Sequence, residues 1–278
     1  MFGRNCHLDL SRPCIMGILN VTPDSFSDGG QFLNTDVAVQ QGLMMQQEGA
    51  AILDIGGEST KPGSLPVSAD EELARVLPVI KALRNRTDLP LSIDTNKALV
   101  AREAVSCGVD FINDISGLTF DPEMATVAAE TGAGLFLMHT SGRPELMQQL
   151  TAYSDLLAEV IEGLSKSVDL ALQAGIAADR IAIDPGIGFG KTAVGNVELL
   201  HHVDKFNSLG YPVLLGTSRK SFIGRILNQD NPQERLFGTL ATIVSAVAAG
   251  VQIFRVHDVR PAQEAALVAW AIREQRLP

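Results

Sequence analysis

The sequence predicts an α/β protein, a (β/α)8 TIM barrel, on three observations: eight short apolar runs, a polar residue at the end of each, and room for one helix between successive runs. Parallel strands buried on both faces read as short aliphatic or β-branched stretches bounded by Gly, Pro, Asn or Asp. Ile15–Leu19 ends at Asn20 and is followed by the helical pattern Val37–Glu48, which Gly49 stops. Ala51–Leu53 ends at Asp54 and leads to Glu71–Arg86, opened by Ser68-Ala69-Asp70-Glu71 at the spacing of a capping box. Leu91–Ile93 ends at Asp94, before Lys97–Cys107 and its stop at Gly108. Phe111–Ile112 ends at Asn113, and Pro122 suits the first turn of Glu123–Thr131, closed by Gly132. Leu135–Met138 ends at His139 before Asp155–Gln173 and Gly175, and Ile181–Ile183 ends at Asp184 before Val197–Leu209 and Gly210. Val213–Leu215 is followed by Ser218 and the helix Glu234–Ala249, and Val251–Phe254 ends at Arg255 before Ala262–Arg276.

In such a barrel the active site lies at the C-terminal ends of the strands, so these polar residues read as ligand-binding or catalytic. Three connections at that end are long, Thr22–Gln31, Thr60–Ser68 and Gly186–Gly195. The first two, the βα loops 1 and 2, are expected to lie over the C-terminal face as lids that exclude water.

Composition bounds the rest. One barrel of roughly 250 residues absorbs most of the 278, so residues 1–278 are expected to form a single domain. A 46% hydrophobic content with 19% charged residues supplies a core, and a net charge of −10 without basic runs disfavours nucleic acid or an anionic membrane as partner. Three cysteines, with no CxxC pair, argue against a disulfide framework or cysteine zinc site and fit a reducing cytoplasm. No secretory signal is read at the start, and the uncharged stretch Thr239–Phe254 falls short of a bilayer span.

The segment Asp184-Pro-Gly-Ile-Gly-Phe-Gly-Lys191-Thr192 imitates a phosphate-binding P-loop, yet Pro185 stands where the first glycine is needed. Asp54, Asp94, Asn113 and Asp184 converge from four strands and suit a flat ligand rich in N–H donors, such as an aminopyrimidinone, although any one of them alone reads equally well as a helix cap. Ser218-Arg219-Lys220-Ser221 and Arg255-Val256-His257-Asp258 bring cations to strands seven and eight, where barrels commonly hold phosphate. The plainer reading pairs Arg219 and Arg255 with acids such as Asp258. Lys220 also admits a Schiff-base reading that no neighbouring residue favours. His139 reads as a packed histidine, since no second His or Cys falls at ligand spacing, and His201-His202 as a solvated helix face.

Taken together, Ile18–Gly30 (ILNVTPDSFSDGG) and Asp54–Thr60 (DIGGEST) strongly resemble the signatures of the bacterial dihydropteroate synthases. The likeness continues through Ser92–Thr95, Ile112–Asp114, Leu137–His139, Asp184–Lys191, Ser218–Ser221 and Arg255–Asp258, nearly the whole chain. The resemblance implies a pterin-binding barrel that condenses 6-hydroxymethyl-7,8-dihydropterin diphosphate with 4-aminobenzoate to 7,8-dihydropteroate. It implies a pterin pocket of Asp94, Asn113, Asp184 and Lys220 with Asp54 nearby. It implies a diphosphate and Mg2+ site of Asn20, Arg255 and His257, with Asn20 toward the metal and Lys61 and Arg219 toward the phosphates. Phe26, Asp28, Thr60, Pro62, Phe189 and Ser221 match positions around 4-aminobenzoate, with Asp28, Lys220, Arg255 and His257 in catalytic roles. Sulfonamide sensitivity and a homodimer built on outer helices, with the apolar Leu240–Ala249 segment compatible, also follow from the likeness.

Two residues depart from the family pattern: Lys61 replaces the usual Arg and loses its bidentate fork, and Thr140 replaces a second Met. Two other readings compete. A methyltetrahydrofolate methyltransferase would need no diphosphate site, and a pterin-binding scaffold would bind without turnover.

Overall fold

The computed structural model describes residues 1–22, 31–61 and 63–277, and only the backbone of residues 31–34. Phe26 and Asp28 of loop 1 and Pro62 of loop 2 therefore lie outside the described residues. Eight parallel strands run β1 (Cys14–Asn20), β2 (Ile52–Gly56), β3 (Leu91–Asp94), β4 (Phe111–Asp114), β5 (Gly134–Met138), β6 (Ile181–Asp184), β7 (Leu214–Leu215) and β8 (Ile253–Val256). Their order around the sheet is β6-β5-β4-β3-β2-β1-β8-β7. A parallel bridge between Ile183 and Val213 joins β6 to β7, which brings the two ends of the sheet together as the expected (β/α)8 barrel.

The helices are α1 (Gln31–Gln47), α2 (Ala69–Arg84), α3 (Ala98–Ser106), α4 (Met124–Thr131), α5 (Leu156–Gln173), α6 (Ala193–His201), α7 (Ser221–Leu227), α8 (Leu236–Ala248) and α9 (Val259–Glu274). Ser68 caps α2 as its spacing predicts, accepting the Glu71 N–H at 3.2 Å, but Glu71 turns its carboxylate to Arg75 instead of closing the box. Helix α1 begins six residues before its apolar pattern does, at Gln31 and not Val37. Helix α6 begins at Ala193 because Thr192 caps it through Gly195 N–H, and it gives way after His201 to a 3-10 segment over Val203–Leu209. Helix α7 is an additional short helix that the strand-helix count does not anticipate.

Two apolar layers hold the barrel. The larger lies between strands and helices, with Leu19, Leu53, Ile55, Ile93, Ile112, Leu135, Leu137 and Ile183 facing helical residues such as Val76, Ile80, Val100 and Leu164. The smaller fills the lower barrel interior with Cys14, Met16, Ile52, Phe111, Phe136, Ala182, Leu214 and Ile253. The N-terminal segment closes that lower end: Phe2 N–H donates to Asp179 O at 2.8 Å, Arg4 N–H to Asp110 O at 3.0 Å, and Leu8 joins the interior cluster. With the N-terminal end plugged by apolar side chains, only the C-terminal end is left to admit a polar ligand. No described helix is long and apolar enough to cross a membrane.

Candidate active site

Parallel strands point alternate residues inward, and the last inward residue of each reaches the barrel mouth. Asp94 and Asn113 are register partners across β3 and β4, and Asp184 lies beside Met138 across β5 and β6. Asp54, fully buried, accepts from Asn113 Nδ2 at 3.0 Å and from Arg255 Nε at 2.6 Å, both through Oδ2. Arg255 Nη2 donates to Asp94 Oδ2 at 2.6 Å. One guanidinium from β8 thus spans two carboxylates from β2 and β3. Burial works against the Arg255 charge, but Asp54 and Asp94 outweigh it and hold its pKa above the ordinary value. Burial likewise pushes the Asp94 carboxyl upward against the pull of Arg255.

This network is saturated on one side and open on the other. Asp54 Oδ1 and Asp94 Oδ1 are buried and have no hydrogen-bond partner. Buried oxygens of this kind are costly unless a donor reaches them, so they ask for N–H groups from a ligand. Asp184 adds a third carboxylate: Oδ1 accepts the Gly186 N–H at 2.7 Å, and burial raises its pKa to about 6.

Lys220 faces Asp184 and sets its Nζ 4.1 Å from the centre of the Phe189 ring. Burial lowers its pKa to about 8 against the attraction of Asp184. Beside it, Ser218 Oγ accepts the His257 backbone N–H at 3.1 Å and lies 3.0 Å from His257 Nδ1. The hydroxyl keeps a proton and a second lone pair for Nδ1, so it pairs with either tautomer of the ring while Nε2 is left for a ligand. Burial, then Arg219 and Arg255, push the His257 pKa down to about 3, so His257 is a neutral imidazole and not a titrating cation. Arg219 adopts a left-handed backbone, φ 59°, and meets Asp258 with two bonds of 2.9 and 2.6 Å. Both arginines thus pair with acids, as the plainer reading has it, Arg219 with Asp258 and Arg255 with Asp54 and Asp94.

A family model described as pterin-binding enzyme matches residues 16–257. A dihydropteroate synthase of Synechocystis sp. is 51% identical over 261 residues, 94% of this chain and 90% of that protein. The Yersinia pestis dihydropteroate synthase, solved with a sulfonamide drug, superimposes with a TM-score of 0.93 at 45% identity over 99% of both chains. The Xanthomonas albilineans enzyme, solved with 4-aminobenzoic acid, gives a TM-score of 0.91 at 44% identity over 98% of this chain and 96% of that one. The chain belongs to the dihydropteroate synthase family of pterin-binding enzymes. It is accordingly a transferase, and the resemblance read from its motifs is correct.

For a member of this family the gathered residues are Asp54, Asp94, Asn113, Asp184, Lys220, Arg255 and His257, joined by charge or hydrogen bonds at one barrel mouth. Asn20 ends β1 in register with Gly56, half-buried at the same rim. Phe189 packs with Ile115, Met138 and Met147, while Thr60 is half-buried and Lys61 and Ser221 are exposed.

Lys191 is the residue to which the failed P-loop comparison gives no role. It is 3% exposed, and its Nζ reaches Phe189 O at 2.9 Å, His139 Nδ1 at 3.1 Å and His139 O at 3.3 Å. It ties the β6–α6 loop to the end of β5, and burial lowers its pKa to about 7. The available signal is the glycine pattern: Gly186, Gly188 and Gly190 all have positive φ, and a Cβ on Gly186 would stand 1.9 Å from His139 O. Such spacing marks a loop folded tightly onto its neighbour, whether or not it cradles phosphate.

The two raised and lowered pKa values define a pH window. Asp184 is an acceptor above about pH 6, and Lys220 a cation below about pH 8. Pterin affinity is expected to be greatest between these values and to fall on both sides. Calorimetric titration across pH 5–9 checks this: Asp94, which burial raises to about 7, shares the acid limb, so Asp184→Asn should reduce that limb and Lys220→Met remove the alkaline one. A flat profile would count against both assignments.

Proposed function

We propose that this enzyme joins (7,8-dihydropterin-6-yl)methyl diphosphate to 4-aminobenzoate, forming 7,8-dihydropteroate and releasing diphosphate. The observation that carries the reading is the pair of unpartnered buried oxygens on Asp54 and Asp94, beside Asn113 and Asp184, bordered by Lys220, Arg255 and His257. An aminopyrimidinone edge supplies the missing N–H donors, and an adjoining diphosphate meets the cationic border.

Asp94, Asn113 and Asp184 hold the pterin with Lys220, and Asp54 fixes Asn113 and Arg255 through Oδ2 while its Oδ1 is left for a pterin N–H. Arg255 neutralises charge growing on the departing diphosphate and the His257 imidazole hydrogen-bonds to it, with Arg219 and Lys61 as further cations near it. Loss of diphosphate leaves positive charge on the pterin methylene carbon, which Asp28 stabilises from loop 1. The aniline nitrogen of 4-aminobenzoate then attacks, oriented by Phe26, Thr60, Pro62, Phe189 and Ser221. The same residues provide a site for a sulfonamide.

The donor set fits Mg2+ carried in with the diphosphate. Among the described residues no group of three or more His, Cys, Asp or Glu side chains is placed to hold a metal alone, while Asn20 offers the hard amide oxygen suited to an ion that keeps its waters and binds substrate phosphates. When bound, Mg2+ supplies further neutralisation of the leaving group.

The reading places the enzyme in the cytoplasm, as one domain over residues 1–278, paired as a homodimer through its outer helices. Exposed Ile226 on α7, and Phe237 (81% exposed) and Val244 on α8, support the pairing. Purified protein with both substrates is expected to form dihydropteroate when Mg2+ is present and to stop when EDTA removes it. Tight pterin binding without product would favour the scaffold reading, and methyl transfer from methyltetrahydrofolate the methyltransferase one.

A further inference from the structure

The β2–α2 loop carries Thr60 and Lys61, and one buried carboxylate holds its two roots together. Glu58 Oε2 accepts the backbone N–H of Val67, nine residues on, at 2.9 Å. The same oxygen accepts from Lys97 Nζ at 2.7 Å, and Lys97 donates to Glu72 Oε2 of α2 at 2.6 Å. Glu58 and Glu72 are both buried, and Lys97 stands at the N-cap of α3. Arg75 of α2 adds a bond from Nη1 to Gly57 O at 2.6 Å. Within the loop, Ser59 and Ser64 join their hydroxyls at 2.9 Å, and Gly63 N–H reaches Pro144 O at 3.0 Å.

Burying three charges contributes little net stability, because desolvation consumes most of the attraction. What the cluster does provide is geometry. It fixes where the loop leaves β2 and where it enters α2, and hence how far Thr60 and Lys61 extend over the mouth. We propose that Glu58 is a positioning residue for the second substrate, holding this loop where it meets 4-aminobenzoate. The proposal rests on the condensation described under Proposed function.

The charge count makes the inference testable in a folded protein. Two carboxylates face one ammonium, and Glu72 Oε1 has no partner, so the cluster holds one acid more than it has cation for. Burial raises the Glu72 pKa, and the two acids outweigh burial to raise that of Lys97. Removing Glu58 leaves a matched Lys97–Glu72 pair, whereas removing Lys97 would strand two buried acids. Glu58 is therefore the position to vary.

In Glu58→Ala the KM for 4-aminobenzoate is expected to rise at least about tenfold, the scale of loss that loop misplacement of an ångström produces. Pterin affinity should stay within about twofold of the parent, because its ligands lie on β2, β3, β4 and β6 and at the N-cap of α7, not on this loop. Backbone amides of Gly63, Ser64, Leu65, Val67 and Ser68 should exchange faster. Glu58→Gln keeps an acceptor for Val67 N–H and should recover most of the KM change. An unaltered KM in folded Glu58→Ala, an equal loss of pterin affinity, or a Gln variant no better than Ala would each overturn the proposal. If the parent chain forms no dihydropteroate, the condensation reading fails, and the exchange comparison at Val67 then decides the clamp by itself.

Discussion

Replacing Arg255 with Met is expected to cost this protein stability as well as turnover. Arg255 is the cation placed against both Asp54 and Asp94, at 2.6 Å each, and both acids are buried. Removing one partner from such a network leaves uncompensated charge, a loss of about 3 kcal/mol or more, which lowers the melting temperature of a chain this size by roughly 8 °C. The effect has a signed pH dependence. Without Arg255 nothing offsets the burial that raises the Asp94 carboxyl, so the folded form binds more protons than the unfolded chain and gains stability as pH falls toward 5. The deficit relative to the parent should therefore shrink on acidification. A triple variant, Asp54→Asn, Asp94→Asn and Arg255→Met, removes all three charges and should recover much of the loss. Calorimetry at pH 7.5 and 5.5 decides it: a single variant melting with the parent at both values would show that the network is energetically idle. Turnover measured well below either transition should still be lost if, as proposed, the same guanidinium meets the departing diphosphate.

The barrel and its mouth were legible in the chain for a physical reason. A strand buried on both faces must be apolar except where it emerges, so Asn20, Asp54, Asp94, Asn113, Asp184 and Arg255 advertise the strand ends one at a time. Local spacing cannot show that Arg255 spans Asp54 and Asp94, residues 201 and 161 positions away. Nor does it show that Ser218 holds the His257 ring and backbone together, since that depends on two strands meeting. Boundaries shifted where caps outranked periodicity. Thr192 starts α6 four residues before the apolar pattern indicates, and α7 is too short to carry a pattern of its own. The plug at the lower end is equally hidden, because Leu8 looks like part of an ordinary terminus until the barrel closes around it and the Phe2 backbone bonds Asp179. Glu58 and Lys191 lay inside recognisable motifs, but their partners Lys97, Val67 and His139 come from other elements.

Asp184→Asn is expected to produce the largest selective loss of pterin affinity. One carboxylate oxygen already serves the loop by accepting Gly186 N–H at 2.7 Å. An asparagine keeps that bond through its own carbonyl oxygen and is then obliged to present NH2 to the ligand. Where the parent offers an acceptor to a pterin N–H, the variant places donor against donor. A hydrogen bond to a charged group contributes about 1.5–3 kcal/mol, so affinity should fall roughly 10- to 150-fold before any repulsion is added. Folding should survive, because burial raises the Asp184 pKa to about 6 and an uncharged side chain removes that penalty. Above pH 6 the variant is spared an ionised buried acid but leaves the buried Lys220 without its carboxylate, so the two effects oppose each other and the variant should melt within a few degrees of the parent at pH 7.5. The KM for 4-aminobenzoate, measured at saturating pterin diphosphate, should change little, because Phe189 remains seated among Ile115, Met138 and Met147. Calorimetric pterin binding paired with a thermal melt separates the outcomes: undiminished affinity would remove Asp184 from the pterin site, and a collapsed melting temperature would make it a structural acid instead.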